Sequence, residues 1–404
     1  MHARYDSAPP EKRLLICCAR VAMQPHIAQE ARRIASGPLD WEYLAAAAAE
    51  NSILPLFARN LLSLARDAVP LAWAAHLQRA ALASSARSLQ LTAELIRILA
   101  EFRARGIQSI PYKGPVVAAQ AYGELALREF EDLDLILRQR DASAAHALLL
   151  DLGYRPRFRA AVSAQGRSAT AIPGEYRYFD EARGILVELH TERTFRHFPV
   201  APRWDEFALR LASVSLSGHQ VPTFCAEDAL LMLCVHGAKD FWERLSWIAD
   251  VAEMIQAHPA LDWHSLARRA ESLRVQRMIA VGLLLAVQIL DVPLPPEAFR
   301  RANADRVASE IARRLSRRLN SRAPQQWGAC QRFQYRRHLV PGRRPGWEYA
   351  WRLAFAPADE EARAAQLPPP LSSLHFALRP LRLLRKHGAF GAARARTGAS
   401  LPPE

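Results

Sequence analysis

Apolar residues return at every third and fourth position through the first hundred residues of the chain. Residues 39–65 (LDWEYLAAAAAENSILPLFARNLLSLA) and 89–106 (LQLTAELIRILAEFRARG) show this spacing most clearly, and it is the spacing of one face of an α-helix. Gly37, Pro38 and Pro70 interrupt the pattern, because glycine and proline favour turns. We therefore predict consecutive helices from residue 13 to about 105, forming an N-terminal helical region over residues 1–105.

Shorter apolar runs with alternating polar residues begin at Ile107. We predict a strand leading into a turn, a helix with Pro115 in its first position, and a strand in which acids alternate with aliphatic residues. A helix follows, and then two strands joined by a turn at Arg183 and Gly184. The stretches are, in this order, GIQSIPYKG (106–114), PVVAAQAYGELA (115–126), DLDLIL (132–137), SAAHALLLDLGY (143–154), YRYFD (176–180) and GILVELHTE (184–192). Residues 106–222 are therefore predicted to form an α/β unit.

Helical periodicity returns after residue 225. The most apolar run, MIAVGLLLAVQIL at residues 278–290, is too short to cross a bilayer and predicts a buried core helix. We divide this part into a helical domain (223–300) and a basic helical C-terminal region (301–404), whose last residues, AARARTGASLPPE, are predicted to be disordered. The predicted class is α+β, a small mixed sheet with helices, flanked by helical regions on both sides.

The net charge of +14 is concentrated in the last quarter of the chain. Residues 301–404 contain 20 Lys and Arg against 7 Asp and Glu, whereas the first 300 residues contain 34 against 33. Such a segment suits nucleic acid, anionic lipid or a phosphate-rich substrate, but arginines on solvated helix faces explain it equally well. Aromatic residues able to stack on bases lie among these arginines, namely Trp327, Phe333, Tyr335, Trp347, Tyr349 and Trp351.

The cysteines and the N-terminus indicate a reducing compartment. Five cysteines show no C-x-x-C pair and no zinc-like pairing with histidine, and an odd count favours free thiols. Residues 1–23 (MHARYDSAPPEKRLLICCARVAM) place an acid and two prolines before a short apolar run, which is not typical of a signal peptide. We expect a cytoplasmic protein without a transmembrane segment.

Asp132 and Asp134 are the first candidates for chemistry. Side chains alternate along a strand, so both carboxylates point to the same face, where they repel each other unless a cation lies between them. Oxygen ligands of this kind suit Mg²⁺ together with substrate phosphate. The alternative is an edge strand whose polar face lies in water.

Glu188 and His190 share one face of the later predicted strand for the same reason. If that strand pairs beside DLDLIL, Glu188 adds a third carboxylate, and the three can hold one or two divalent ions for phosphoryl or nucleotidyl transfer. His190 then orients a ligand or contacts a phosphate, or it is a hydrogen-bonded structural histidine.

Lys113 and Gly114 lie where a strand turns into a helix. Glycine allows a phosphate to approach the backbone, and Lys113 supplies a point charge for it, although a surface turn lysine fits the spacing as well. Arg128, four residues before Asp132, pairs with the carboxylates, binds a triphosphate or holds the turn by a salt bridge.

The order of these residues resembles the bacterial uncharacterised nucleotidyltransferase family of the DNA polymerase beta-like nucleotidyltransferase superfamily. The resemblance is carried by Lys113-Gly114, Arg128, Asp132-Leu133-Asp134 and Val187-Glu188-Leu189-His190. It extends to HGAKDFWERLSWIADV (236–251) and to LHFALRPLRLLRK (374–386), and so to most of the chain.

The resemblance implies a nucleotidyltransferase-like fold with Asp132 and Asp134 as a metal-binding pair and Glu188 as the third carboxylate. It further implies one or two Mg²⁺ ions, an NTP substrate, and a nucleotide site that includes Lys113, Gly114, Arg128 and His190. The superfamily usually has Gly-Ser or Gly-Gly at the turn, where this chain has Gly114 and Pro115. Proline removes one backbone donor there.

We therefore expect a Mg²⁺-dependent nucleotidyltransferase that moves a nucleoside monophosphate from an NTP to a hydroxyl of a small molecule, a glycan or a protein. One alternative is a catalytically silent protein of this fold that binds a nucleotide or a partner. The other is nucleic-acid binding through the basic C-terminal region, which should weaken steeply with salt.

Overall fold

A computed structural model describes residues 8–157, 174–192, 197–322 and 327–355. The chain divides into two compact units, of which the first contains the described residues up to 322 and the second contains residues 327–355. The predicted disordered tail (392–404) and the stretch 374–386, which carries part of the family resemblance, lie outside the described residues. The four predicted segments are a finer division than these two units, and their boundaries stay predictions.

The N-terminal helices follow the apolar spacing, as predicted. Each break coincides with a proline or glycine: proline occupies an early position of α1, α2 and α4, where its missing N–H leaves no intrahelical bond unmade, and Pro70 directly precedes the longest helix. The helices are α1 (Pro10–Cys18), α2 (Pro25–Ala35), α3 (Trp41–Glu50), α4 (Leu54–Ala65) and α5 (Leu71–Ala104).

A five-stranded mixed sheet follows, with strand order β1-β2-β5-β4-β3. Strands β2 and β5 are parallel, and the other neighbours are antiparallel. The predicted α+β class with a small mixed sheet is confirmed. The elements are β1 (Ser109–Pro111), α6 (Pro115–Val117), a π-helical turn (Ala118–Tyr122), β2 (Asp132–Leu137), α7 (Ala142–Asp151), β3 (Arg155–Pro156), β4 (Glu175–Asp180) and β5 (Ile185–His190).

The two faces of this sheet have opposite character because side chains alternate along each strand. One face is apolar and packs against α5 and α7, and its side chains form the main core cluster, which includes Leu133, Leu135, Val187, Leu189 and Tyr178. The other face carries the acids of β2 and β5. The core therefore fixes which residues face the polar side.

A hairpin and further helices complete the first unit. Thr223 of the hairpin donates a hydrogen bond of 2.6 Å to the carbonyl of Pro111 and so ties the hairpin to the edge strand β1. The predicted core helix at 278–290 is confirmed, since α12 is buried along most of its length. The elements are α8 (Trp204–Ala208), β6 (Leu211–Leu216), β7 (His219–Phe224), α9 (Ala226–Lys239), α10 (Leu245–Ala257), α11 (Trp263–Ser272), α12 (Gln276–Leu290), α13 (Pro296–Ala304) and α14 (Arg306–Leu319).

The described part of the second unit is a pair of helices, α15 (Ala329–Leu339) and α16 (Arg343–Phe355). Phe333 packs its ring against Trp347 and Trp351, with centroids 5.5 and 5.4 Å away, and the Arg337 guanidinium lies 5.1 Å from the Trp347 ring centroid. These aromatics thus pack with one another and with arginine. Across the described ranges, no helix combines the length and apolarity that crossing a membrane requires.

Candidate metal centre

The parallel pairing of β2 and β5 brings the predicted acids together. Asp134 lies opposite Glu188 in the register, and Ile136 lies opposite His190. One ligand atom from each of Asp134, Glu188 and His190 falls within 4.8 Å of the others, and all three side chains are buried. The two strands therefore lie side by side, which is the condition under which Glu188 was expected to add a third carboxylate.

Asp134 is at the middle of the cluster. Its Oδ1 lies 2.7 Å from His190 Nε2 and accepts a hydrogen bond of 3.4 Å from the Tyr112 hydroxyl. The Tyr112 and His190 rings meet edge to face at 5.6 Å. Although burial lowers it, the pKa of His190 is raised by its hydrogen bond to Asp134 and by the neighbouring carboxylates.

Lys113 points into the same cluster and is not a surface turn residue. Its Nζ lies 3.2 Å from Asp134 Oδ2, and 19% of its side-chain surface is exposed. The turn that carries it depends on Gly114, whose φ of 54° and ψ of −123° disfavour a side chain. Burial raises the pKa of Asp134, but Lys113 and His190 outweigh burial and hold that pKa well below its usual range.

Glu188 is shared between the cluster and strand β4. Arg177 Nε lies 2.8 Å from Glu188 Oε1, and the same guanidinium reaches Glu175 at 2.8 Å. The other oxygen, Oε2, lies 3.6 Å from His190 Nε2. Burial and then the charge of Asp134 raise the pKa of Glu188 to about 7, which places this carboxyl near the pH at which a proton acceptor works well.

Asp132 lies at the edge of the cluster. It begins β2 and is partly exposed, and the group of three close ligand atoms does not include it. Burial and the charge of Asp134 raise the pKa of Asp132 to about 6. The charge of the centre therefore affects Asp132. The closest contacts within the centre are those among Asp134, Glu188 and His190.

Arg128 is bound elsewhere. Its Nε and one terminal nitrogen donate to the two oxygens of Asp250 on α10, both at 2.8 Å, and the Tyr122 hydroxyl donates to Asp250 at 2.8 Å. Of the three roles predicted for Arg128, the structure shows a salt bridge, but the acid is Asp250 and not one of the strand carboxylates. Asp250 lies within the stretch 236–251 that carried part of the family resemblance.

Four further residues around the centre were not predicted as site residues: Tyr112, Glu175, Arg177 and His236. Period-two alternation marks Glu175 and Arg177 once β4 is placed beside β5. His236 lies on α9, with Nδ1 3.3 Å from Asp240 Oδ2 and its ring edge to face with Trp247. Burial and then the charges of Lys113 and Lys239 lower its pKa well below the usual value, so His236 is neutral.

The donor atoms fit a divalent cation. Within the described residues, the buried Oδ2 of Asp134 accepts no hydrogen bond, and its charge is met by the Lys113 ammonium. Two carboxylates and an imidazole accommodate Mn²⁺ and softer divalent ions. The residues present are therefore compatible with a resident divalent ion.

Two comparisons with known proteins found a match. The family model described as "Uncharacterised nucleotidyltransferase" matches residues 37–291. Among solved structures, the chain is similar to an antigenic nucleotidyltransferase-like protein from Paracoccidioides brasiliensis, with 15% identity, a TM-score of 0.34, and coverage of 54% of this chain and 98% of that one. None of the curated proteins matches the sequence.

Proposed function

The chain belongs to the uncharacterised nucleotidyltransferase family, and from this premise we propose that it moves a nucleoside monophosphate from an NTP to a hydroxyl of an acceptor with the help of Mg²⁺. The observation that carries the proposal is the convergence of Asp134 and Glu188 on one sheet face, with Lys113 3.2 Å from Asp134. The acceptor class is a small molecule, a glycan or a protein.

Asp132, Asp134 and Glu188 are proposed to hold one or two divalent ions, with His190 as an additional ligand or as an orienting cation. When bound, such ions neutralise the triphosphate and lower the barrier to attack on its α-phosphorus. Since Asp134 has a depressed pKa, it is ionised and ready to bind a cation at neutral pH.

Glu188 is proposed to take the proton of the acceptor hydroxyl. The acceptor oxygen forms a bond to the α-phosphorus, the bond from that phosphorus to the bridging oxygen breaks, pyrophosphate leaves, and the hydroxyl proton passes to the carboxylate. A pKa of about 7 suits this transfer, and general-base catalysis of this kind contributes about 10²–10⁴ in rate. Arg177 fixes the other carboxylate oxygen.

Lys113 and Gly114 are proposed to receive the triphosphate. Gly114 has no Cβ at a turn with positive φ, and Lys113 supplies charge from a flexible stem. Pro115 offers no N–H, so the ammonium of Lys113 matters more here than in a turn with an additional backbone donor.

The experiment is transfer of label from an α-phosphate-labelled NTP with and without Mg²⁺, on a panel of hydroxyl acceptors. Asp134→Asn and Glu188→Gln should remove the label from the product, and Asp151→Asn, an exposed acid at the end of α7, is the matched control. Label transfer that survives in folded Asp134→Asn would end the proposal.

The alternative is a silent nucleotide-binding protein of this fold, favoured by the missing amide of Pro115. Thermal shift separates the two, because a ligand bound only by the native state raises the melting temperature whether or not it reacts. Stabilisation by NTP with Mg²⁺, together with no transfer to any acceptor on the panel, would favour the silent protein.

A further inference from the structure

The ammonium of Lys113 lies next to the Asp134 oxygen that a divalent ion would bind. It lies 3.2 Å from Asp134 Oδ2, an oxygen that is buried and accepts no hydrogen bond from the described residues. Ligand oxygens lie about 2.1 Å from Mg²⁺, so an ion bound to this oxygen and an ammonium in its present place would be close neighbours of like charge. In a buried site such repulsion is weakly screened, and both cannot keep these positions.

The Lys113 side chain is also able to move away from Asp134. It is a flexible four-carbon stem with 19% of its surface exposed, and the Tyr112 ring lies 4.9 Å from the ammonium. His190, by contrast, is held by Asp134 at 2.7 Å and by the Tyr112 ring. Of the two basic side chains on Asp134, Lys113 is therefore the one that can move away from it.

We infer that Lys113 is a resident cation of the carboxylate centre that holds Asp134 while no metal is bound, leaves it when a divalent ion enters, and then binds nucleotide phosphate. The inference rests on the proposed function and adds an order of binding to it. The metal displaces the ammonium from Asp134, and the displaced ammonium increases the affinity for the triphosphate.

This exchange predicts that loss of the ammonium changes the affinity for metal and the affinity for nucleotide in opposite directions. Removing the ammonium should tighten metal binding, because the ion no longer competes for Asp134, and should weaken nucleotide binding. A lysine that only stabilises the fold would weaken both, and a lysine that only binds phosphate would leave metal affinity unchanged. By linkage, metal and nucleotide should each strengthen the binding of the other.

The first test is titration with Mn²⁺, followed by electron paramagnetic resonance of the free ion, without nucleotide. Lys113→Met should bind Mn²⁺ about tenfold more tightly than the unmodified chain, as expected if the carboxylate is open about a tenth of the time. Lys113→Arg, which keeps the charge, should bind as weakly as the unmodified chain. Asp134→Asn gives the Mn²⁺ binding that remains when the centre is disrupted.

A matched control separates contact from general charge. Lys239→Met removes a positive charge that is paired with Asp240 at 3.7 Å and is not in contact with Asp134, so Mn²⁺ affinity should stay unchanged. Equal or weaker Mn²⁺ binding by Lys113→Met overturns the inference, as does equal tightening by Lys239→Met. Label transfer in the unmodified chain is independent of either result, so the inference can fail while the proposed function stands.

The second test observes the unmodified chain and uses variants only to assign its signals. The chain has four lysines, Lys12, Lys113, Lys239 and Lys386, so selective ¹³C labelling at lysine Cε gives a simple NMR spectrum, assigned by single Lys→Arg changes. Mg²⁺ alone should shift the Lys113 signal, and α,β-methylene ATP added afterwards should shift it again, while the other three stay in place. A Lys113 signal that does not move at saturating Mg²⁺ overturns the inference.

Discussion

Arg128 and Asp250 form a buried ion pair with two parallel hydrogen bonds of 2.8 Å each. Asp250 is fully buried, so removing its partner leaves a charge that is not compensated. Arg128→Met is therefore expected to lower the free energy of unfolding by about 3–5 kcal/mol, the usual cost of breaking a buried pair. Urea unfolding of the variant and the parent measures this loss of stability.

The matching control is the double variant Arg128→Met with Asp250→Asn, which should recover part of the loss because the unpaired charge is gone. A nucleotide-binding role for Arg128 predicts a different result. In that case Arg128→Met would unfold at nearly the same urea concentration and lose nucleotide affinity.

Glu253 is a buried carboxyl that accepts a hydrogen bond of 3.1 Å from the amide of Val21. Burial raises its pKa from 4.5 to about 7. The folded state therefore holds the proton more tightly than the unfolded state, so this contribution to stability is complete below pH 4.5 and is lost as the pH rises to about 7.

Glu253→Gln is expected to remove the loss of stability that occurs as the pH rises to about 7. The variant should be as stable as the parent at low pH and more stable at pH 8 by about 3 kcal/mol, which is the rise of the pKa from 4.5 to about 7 expressed as free energy. Urea unfolding of both proteins at several pH values gives the difference. A difference that does not change with pH would contradict the assignment.

The sequence predicted those site residues that alternation alone can place. Asp134, Glu188 and His190 share a face because a strand has period two, and that face was predicted correctly. The partner of Arg128 was not, since Asp250 is 122 residues away, and no local pattern indicates which acid a basic side chain will reach. A phosphate contact of Lys113 stays a prediction, and the sequence did not indicate that its ammonium would lie beside Asp134.

At the scale of elements, the turn between β1 and α6 positions Lys113 and can be tested by Gly114→Ala. With φ at 54° and ψ at −123°, a side chain costs about 1–3 kcal/mol. The added Cβ would lie 3.4 Å from the Asp132 carbonyl and 3.5 Å from the Phe130 ring, so the backbone is the main cause. Urea unfolding should show this loss, and Mn²⁺ binding should change because the turn shifts.

Gly123→Ala is the control for that variant. Gly123 also has a positive φ, 69°, but an added Cβ meets no heavy atom within 4 Å. It should lose stability, by about 1–2 kcal/mol as for other left-handed residues, and keep Mn²⁺ affinity. Equal changes in Mn²⁺ binding for the two glycines would show that the turn does not position the centre.

Most long elements were predictable, and the shorter ones show why others were not. The predicted helix 115–126 is a short helix and a π-helical turn that end before Gly123, whose left-handed conformation terminates the run. The hairpin of β6 and β7 was not predicted, because Pro222 and several polar residues obscure its strand pattern. Its place in the fold comes from contacts such as Thr223 with Pro111.

At the scale of the whole molecule, the candidate centre and part of the basic charge belong to different units. Every candidate site residue and the described part of the family match, residues 37–291, lie in the first unit. The described part of the second unit carries one acid, Glu348, against six arginines, namely Arg332, Arg336, Arg337, Arg343, Arg344 and Arg352. Charge segregation was evident in the sequence, but division into two units depends on packing that composition does not report.

Because the centre is built from residues of the first unit, removing two arginines from the second unit should leave nucleotide binding intact. In full-length Arg336→Ala with Arg337→Ala, NTP and Mg²⁺ should raise the melting temperature as much as in the parent, with about 2.7 kcal/mol of stabilisation at a hundred times Kd. Asp134→Asn should lose the shift. A smaller shift in the arginine variant would mean that the basic region contributes directly to nucleotide binding, and the site would then have to include it.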